Sequence, residues 1–474
     1  MSQLSTDCLD VIFEYLEKDK ITLRSCLLVN RLWCKVSVII LWRDSKYYCT
    51  KSYNTLISCL PNESKEKLRD NEIIISTPTS NPPIFNYASF CKVLSIDQVY
   101  NKIGMLLNQR TILDTNKKTY ILVQEIFKLF MIQISSLKEL HVHWYLLNVN
   151  FTSYPGAKDC LKNLSELYCN SKVDSEFFYQ LSKISHNIKK FIIDFEDIVS
   201  NGLTVLISVQ QNLTHLKITS YCDDYTQVIS LLNQLPNTLI KFNLDSELII
   251  PLSFISRLTN LQELRLSFPY NNGILNDFEN LQYVNFPQLE ILKIKNICPK
   301  YELLSNFLEI NGKNLKEFYI GDIRCDNLLH LAIAKFCINL RKLSTGFKKN
   351  ELETLNMVFN NCKHLESIKI WCGGEFLNEK EALESVVKYS HICELILYHL
   401  HDLQSELLPD ELNSFLISWT NRLPQKSLSL IIVKYDSNSL DTNVENMKII
   451  EKYIKLGVIK KFIVTDFSNG DYRN

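Results

Sequence analysis

Glycine and proline are scarce, at 11 and 12 of 474 residues. That scarcity disfavours flexible linkers, Gly-rich phosphate loops and low-complexity tails. Charge of one sign is not in excess either: 52 Lys and Arg stand against 52 Asp and Glu. The clustered basic footprint of a nucleic-acid or anionic-membrane binder is therefore not expected. No basic segment followed by an apolar one opens the chain, and its longest early apolar stretch, Val36 to Trp42, is far short of a bilayer span. These absences set the expectation of a cytoplasmic or nuclear protein with no membrane and no nucleic-acid partner, whose fifteen cysteines are reduced thiols.

Catalytic signatures are missing in the same way. No two cysteines are spaced Cys-x-x-Cys, and there is no Walker motif, dinucleotide fingerprint, His-Glu-x-x-His or Gly-x-Ser-x-Gly. Gly373-Gly374 reads as a lone turn. His141-x-His143 and His399-x-His401 each put two imidazoles on one strand face, but without a third ligand they read as surface histidines. Cys8, Cys26, Cys169, Cys337 and Cys393 sit at apolar positions and read as core. The expectation is a non-enzyme with no cofactor and no metal.

What is present is a repeat. The pattern apolar-x-x-apolar-x-apolar begins at Leu137, Leu164, Ile188, Leu213, Leu239, Leu261, Leu289, Leu315, Leu340, Leu365 and Ile392, with intervals running from 22 residues (239 to 261) to 28 (261 to 289). Looser copies occupy Cys91-Leu94-Ile96, Leu428-Ile431-Val433 and Ile459-Phe462-Val464. The last two apolar positions of each copy are two residues apart and share one face of a strand. Helical spacing fills the intervals, as in Val228, Leu231, Leu232 and Leu235, or Leu328, Leu331 and Ala332. A strand plus a helix cannot bury its own apolar side, so stacked copies must bury it for one another. A doubly wound α/β domain also alternates strand and helix, but keeps no leucine signature at fixed spacing. The copies resemble leucine-rich repeats of the long variety, about 26 residues ending in a helix, although the asparagine that often follows the strand is mostly absent. The predicted fold is α/β, with a solenoid over 85–474 carrying parallel strands on its concave face and helices on its convex face.

Residues 1–44 are a different object. Leu9, Ile12, Phe13 and Leu16 fall at i, i+3, i+4, i+7 on one helix, with Ser5 or Thr6 as cap and Asp7 and Asp10 near the positive end of its dipole. A second short helix carries Leu23, Cys26 and Leu27, and a third from about Asn30 carries Trp33, Val36 and Ile40. Forty residues are too few to bury so many large side chains among themselves, which leaves a surplus for another surface to cover. The run Leu4-Ser5-Thr6-Asp7-Cys8-Leu9 … Ile12-Phe13 … Leu16 … Leu27-Leu28-Val29-Asn30-Arg31-Leu32-Trp33 … Leu41-Trp42-Arg43 resembles an F-box. Ser5 stands where that family usually has proline. The resemblance covers about 40 residues, and the family also combines its F-box with leucine-rich repeats.

The resemblance implies a non-catalytic substrate-recognition subunit of an SCF-type cullin ubiquitin ligase. Its helices would dock on a Skp-family adaptor through Leu4, Leu9, Ile12, Phe13, Leu16, Leu27, Val29, Trp33 and Trp42. Residues 45–84 would be a linker with short helices near Tyr53–Leu60 and Ser64–Arg69 and a turn-rich join at Thr77–Pro83. Target binding would fall on the strand face, where Lys217, Arg265, Lys293, Lys295, Tyr319, Lys369, Trp371 and Tyr398 read as a basic stretch followed by exposed aromatics, suited to acidic groups beside an apolar anchor. A solvated strand face is the bland alternative there. For the whole chain the alternative is a leucine-rich scaffold or inhibitor whose N-terminal helices merely cap the solenoid.

Overall fold

The computed structural model describes residues 6–74, 83–107, 117–143, 150–196, 200–221, 226–269, 276–296, 299–321, 326–388, 392–399, 405–422, 426–434 and 440–466. The chain divides into two compact units, Met1–Thr238 and Leu239–Asn474.

The first unit opens with α1 (Thr6–Glu14), α2 (Lys20–Cys26) and α3 (Arg31–Leu41). Asp19 caps α2 by accepting from Thr22 N (3.0 Å), and Asn30 caps α3 by accepting from Trp33 N (2.9 Å), which satisfies amide groups a helix start otherwise strands. Leu9, Phe13, Leu23, Cys26, Val36 and Ile40 form a small core, with Leu16, Leu32, Trp33 and Leu41 against it. The Phe13 and Trp33 rings meet edge to face at 5.2 Å. The segment therefore buries some of its large side chains within itself and leaves others exposed, the surplus that was expected.

The expected linker is part of the first unit's helical wall. It forms α4 (Thr50–Ser58) and α5 (Asn62–Asp70), of which α4 packs on α6 (Ile96–Leu106) and α5 on α7 (Lys117–Gln133). The α7 carboxylate of Glu125 accepts from Ser64 Oγ (2.6 Å), Lys67 Nζ (2.8 Å) and Lys128 Nζ (2.9 Å). Most of the predicted turn at Thr77–Pro83 lies outside the described residues.

Among the described residues the first unit holds strands β1 (Val93–Ser95), β2 (Glu139–Val142), β3 (Glu166–Asn170), β4 (Lys190–Phe195) and β5 (His215–Ser220), each parallel to the next. The helix pair α6–α7 is the insertion that separates the first copy of the repeat from the second. The second unit holds β6 (Lys241–Ser246), β7 (Glu263–Ser267), β8 (Ile291–Lys295), β9 (Glu317–Ile320), β10 (Lys342–Thr345), β11 (Ser367–Cys372), β12 (Glu394–His399), β13 (Leu428–Lys434) and β14 (Ile459–Asp466), again parallel and in chain order.

Register follows the leucine spacing. Phe242, Leu264, Leu292, Phe318, Leu343, Ile368, Leu395 and Leu430 are successive backbone partners across β6–β13, and every one is buried. In β13 the buried pair is thus Leu430 and Ile432, one residue off the expected Ile431 and Val433. The strand enters one residue early, and the register shifts at Leu428/Ser429. Two intervals close with short 3-10 turns, Ser253–Arg257 and Asn276–Asn280, instead of α-helices. The first of these belongs to the 22-residue interval, too short for a helical return. In the helix Asn327–Phe336 the buried face is Leu329, Ala332 and Ile333, whereas Leu328 and Leu331 are exposed. The predicted phase was one residue off because three leucines and an alanine fit either face.

Buried amides bind neighbouring repeats where the usual asparagine is missing. Asn311, fully buried, accepts from Phe286 N (2.7 Å) and donates to Val284 O (2.9 Å) and Phe307 O (3.1 Å). Gln210 does the same one unit earlier, accepting from Ile188 N (2.8 Å) and donating to Ser185 O (2.9 Å). Asn311→Leu keeps the volume but strands a backbone N–H and a C=O away from water. Urea unfolding of this variant is expected to show a loss of roughly 1–3 kcal/mol or more; unchanged stability would mean that these bonds are not needed.

Candidate functional site

Helix α1 is apolar on two sides. Its inward stripe, Leu9 and Phe13, is buried in the small core, with Leu16 half-buried beside it. Its outward stripe, Val11 (60% exposed), Ile12 (45%) and Tyr15 (87%), is uncovered. Ile21, Leu28 and Val29 in and after α2 are exposed as well. An amphipathic helix ordinarily turns charge to solvent, so these six exposed apolar side chains are a candidate interaction surface. Of the adaptor-binding candidates, Ile12 and Val29 belong to this patch. Leu9 and Phe13 are core residues; Leu16, Leu27 and Trp33 are half-buried; Leu4 lies outside the described residues. Trp42 stands apart from the patch: it packs on Tyr48 (ring centroids 4.9 Å) and Tyr87 (4.6 Å), and its carbonyl accepts from Tyr48 Oη (2.5 Å). Val11, Tyr15, Ile21 and Leu28 were missed because the family pattern records the inward positions as well as the outward ones. A second count of the α1 stripe (8, 11, 12, 15) would have found Val11 and Tyr15.

The segment after α3 fastens these helices to the repeats. Arg43 O accepts from Lys92 N (2.7 Å) and Val93 N (3.0 Å), Asp44 pairs with Val93, and Ser45 Oγ accepts from Ser95 N (2.8 Å). These bonds cover the edge of β1. The Arg43 guanidinium also clasps Glu14 (2.6 Å) and reaches Glu17 (3.2 Å), which holds the Glu14 carboxyl below its ordinary range through the hydrogen bond. Beside this joint, Glu139 accepts from His141 Nε2 (2.5 Å) and Lys46 Nζ (2.9 Å), and its pKa falls to about 2 through those hydrogen bonds, that from His141 being the larger cause. The His141 ring stacks on Tyr168 at 4.1 Å.

On the open strand face the expected column is real. Arg265, Lys293, Tyr319, Ser344, Lys369 and Ile396 are consecutive backbone partners, and Lys217 occupies the same position in β5 of the first unit. Two expectations fail there. The basic residues are not simply presented to solvent: Arg265 is paired with Glu263, and Glu317 takes Lys293 (3.4 Å) and Lys342 (3.0 Å). Burial and the neighbouring Arg265 push the Lys293 ammonium down from its ordinary range. Nor are Trp371 and Tyr398 exposed aromatics, at 3% and 4% accessible. The segment after β11 turns at Gly373 and Gly374, both at positive φ, and folds Phe376 back over them, with Val433 completing the cluster. Sequence spacing places a residue on a face but does not show what a later loop lays over it. Lys369, itself 9% accessible, lies over the rings of Tyr398 (4.8 Å) and Tyr319 (5.5 Å), and Lys295 over Tyr319 (5.9 Å).

The described histidines of the two expected pairs are engaged. His143 Nδ1 bonds Asp97 (2.6 Å), which raises its pKa. His399 Nε2 bonds the buried carboxylate of Glu379 (3.0 Å); His401 lies outside the described residues. Cys26, Cys169 and Cys337 are core residues as expected, whereas Cys8 is exposed and Cys393 half-buried. Among the described residues no helix is long and apolar enough to cross a membrane.

One strand per repeat, parallel neighbours in chain order and a leucine column in register define the class: a stacked strand–helix repeat with the spacing of leucine-rich repeats. No protein-family model matches the chain, and no curated protein matches it. Similar solved structures include TLR13 in complex with ssRNA13, at 16% identity over 72% of this chain and 44% of that one (TM-score 0.40), and the leucine-rich repeat-containing protein LegL7 from Legionella pneumophila, at 13% identity over 61% and 90% (TM-score 0.33). This chain thus spans less than half of the TLR13 chain. Both TM-scores are below 0.5, so the repeat assignment rests on the register and spacing within this chain.

The Glu139 pair makes a pH prediction with a definite sign. A carboxylate whose folded pKa lies near 2 against an ordinary 4.5 contributes stability that is complete above 4.5 and lost as pH falls towards 2. Glu139→Gln is expected to unfold at a lower temperature than the parent at pH 7, with the gap closing between pH 4.5 and 2. A gap independent of pH would show that the carboxylate's charge is not what matters.

Proposed function

We propose that this chain is the substrate-recognition subunit of an SCF-type cullin ubiquitin ligase, with α1–α3 as the F-box that docks on a Skp-family adaptor and the leucine-rich repeats as the target-binding part. The chain performs no chemistry; it acts in the cytoplasm or nucleus by holding target lysines near the ubiquitin-charged enzyme, which raises their effective concentration. The observation that carries the reading is the uncovered apolar patch of Val11, Ile12, Tyr15, Ile21, Leu28 and Val29 on helices whose own core is already filled. Its agreement with the family motif in residues 4–43 adds to it.

A second reading has one observation in its favour. Arg43, Asp44 and Ser45 cover the edge of β1, as an N-terminal cap of a leucine-rich scaffold or inhibitor would. A cap alone leaves the outward stripe of α1 without a purpose.

Substitutions separate docking from folding. Ile12→Asp with Leu28→Asp changes exposed residues only, and is expected to abolish co-purification with the adaptor and cullin while leaving the unfolding temperature within a degree or two. Phe13→Ala removes a core ring and is expected to cost roughly 3–5 kcal/mol of unfolding free energy. If the doubly charged variant still brings down the adaptor, the docking assignment fails. If the parent chain never does, the scaffold reading takes its place.

A further inference from the structure

The strands of the second unit end on β14 (Ile459–Asp466), and this last strand is incompletely covered. Among the described residues it has a neighbouring strand on one side only, β13. Its inward residues Phe462 and Val464 are half-buried, whereas their backbone partners Leu430 and Ile432 are 1% and 0% accessible. On the open face of the same strand Ile463 is 37% exposed. The backbone is incomplete in the same way. Ser429 N–H donates to Cys393 O on the β12 side (2.8 Å). By strand alternation Leu430 and Ile432 therefore turn their N–H and C=O groups towards β14, where Lys461, Ile463 and Thr465 meet them. Phe462, Val464 and Asp466 turn theirs outward, along the open edge. A row of unpaired backbone groups is a template for another strand.

We infer that this edge pairs with the same edge of a second copy of the chain, antiparallel about a two-fold axis at Ile463. A two-fold axis brings identical edges together, and the strand is self-complementary in one register. Lys460 and Lys461 stand near its start and Asp466 at its end, all three exposed. With Ile463 opposite Ile463, Phe462 lies opposite Val464, Lys461 opposite Thr465 and Lys460 opposite Asp466, and each of these last three pairs occurs twice. Lysines on an edge strand ordinarily keep it from pairing; here each copy brings the carboxylate that answers one of them. An axis at Phe462 would set Lys460 against Val464, and one at Val464 would set Phe462 against Asp466. The backbone agrees with this choice: the outward groups of Phe462 and Val464 form the hydrogen-bonded pair, and the Ile463 side chains meet in the non-bonded position with Cα atoms about 4.5 Å apart. The register irregularity beside Leu428 falls at the Lys460 end and leaves the rows from Lys461 to Thr465 regular. Pairing covers Phe462 and Val464 as the next repeat covers their counterparts elsewhere. The inference is independent of the ligase reading, which concerns α1–α3 of the first unit.

Sedimentation velocity on the full chain over a range of concentrations tests this, and the parent is expected to be a reversible dimer. Asp466→Lys sets lysine against lysine twice per dimer and is expected to weaken dimerisation roughly tenfold or more, and adding Lys460→Asp to restore it. Ile463→Lys is expected to leave a monomer, with its circular dichroism spectrum showing that it folds. Cross-linking reads the register itself. Ile463→Cys is expected to give a disulfide-linked dimer under mild oxidation, located at position 463 by mass spectrometry. Thr465→Cys is not, since the two copies of that position lie about 13 Å apart in this register, beyond the roughly 7 Å that a disulfide spans. The parent, with its fifteen cysteines, is oxidised alongside as the control. A parent that stays monomeric at every concentration, a dimer untouched by Ile463→Lys, or cross-linking through position 465 instead of 463 would each overturn the inference.

Discussion

A strand followed by a helix has one apolar side and nothing of its own to lay against it. Only the next copy can cover that side, and the rest of the molecule follows from this constraint. Within each unit the repeats must stack with the second apolar position of one strand beside the same position of the next, because a slip of one residue would turn every leucine outward. The unbroken row from Phe242 to Leu430 is the outcome. Chain length between strands is free to vary, since the α6–α7 insertion adds helices without moving Leu94 from its partner Leu140. Backbone groups between repeats still need partners, and Asn311 and Gln210 supply them from inside the stack.

Stacking in register also decides the open face. It places side chains of like position a strand spacing apart, where like charges would repel. Carboxylates at the first strand position answer nearby cations: Glu263 answers Arg265 two residues on, and Glu317 answers Lys293 on one neighbouring strand and its own backbone partner Lys342 on the other. At β10 and β11 the device changes. A Cβ at Gly346 would lie 2.6 Å from the Phe376 ring and 2.7 Å from Trp371, so only glycine leaves room for the returning loop that seals the aromatics in.

The N-terminal helices follow a different economy. Three short helices complete a core from one stripe of α1 and have no means of covering the other. Arg43 clasps Glu14 and Glu17 from one side and, through its carbonyl, Lys92 and Val93 from the other, and Asp44 and Ser45 beside it extend the hold on the first strand. A patch held this way sits at a fixed place on the first unit.

The repeat, its parallel strands and the N-terminal helices were legible in the sequence, because period-two and period-3.6 patterns are local and leucine recurs too regularly to miss. The column of face residues from Arg265 to Ile396 could likewise be counted off by alternation alone. Whether those residues reach solvent could not be. The covering of Trp371 and Tyr398, the pairing of Arg265 and Lys293 with carboxylates, and the burial of Leu9 and Phe13 beside an uncovered Ile12 all depend on groups that come near only after the chain has folded. Along the strands from β7 to β12, sequence spacing determined which face each residue shares, since backbone alternation sets that residue by residue. Tertiary structure decided what it meets there, since burial and charge are properties of neighbours brought together from distant parts of the chain.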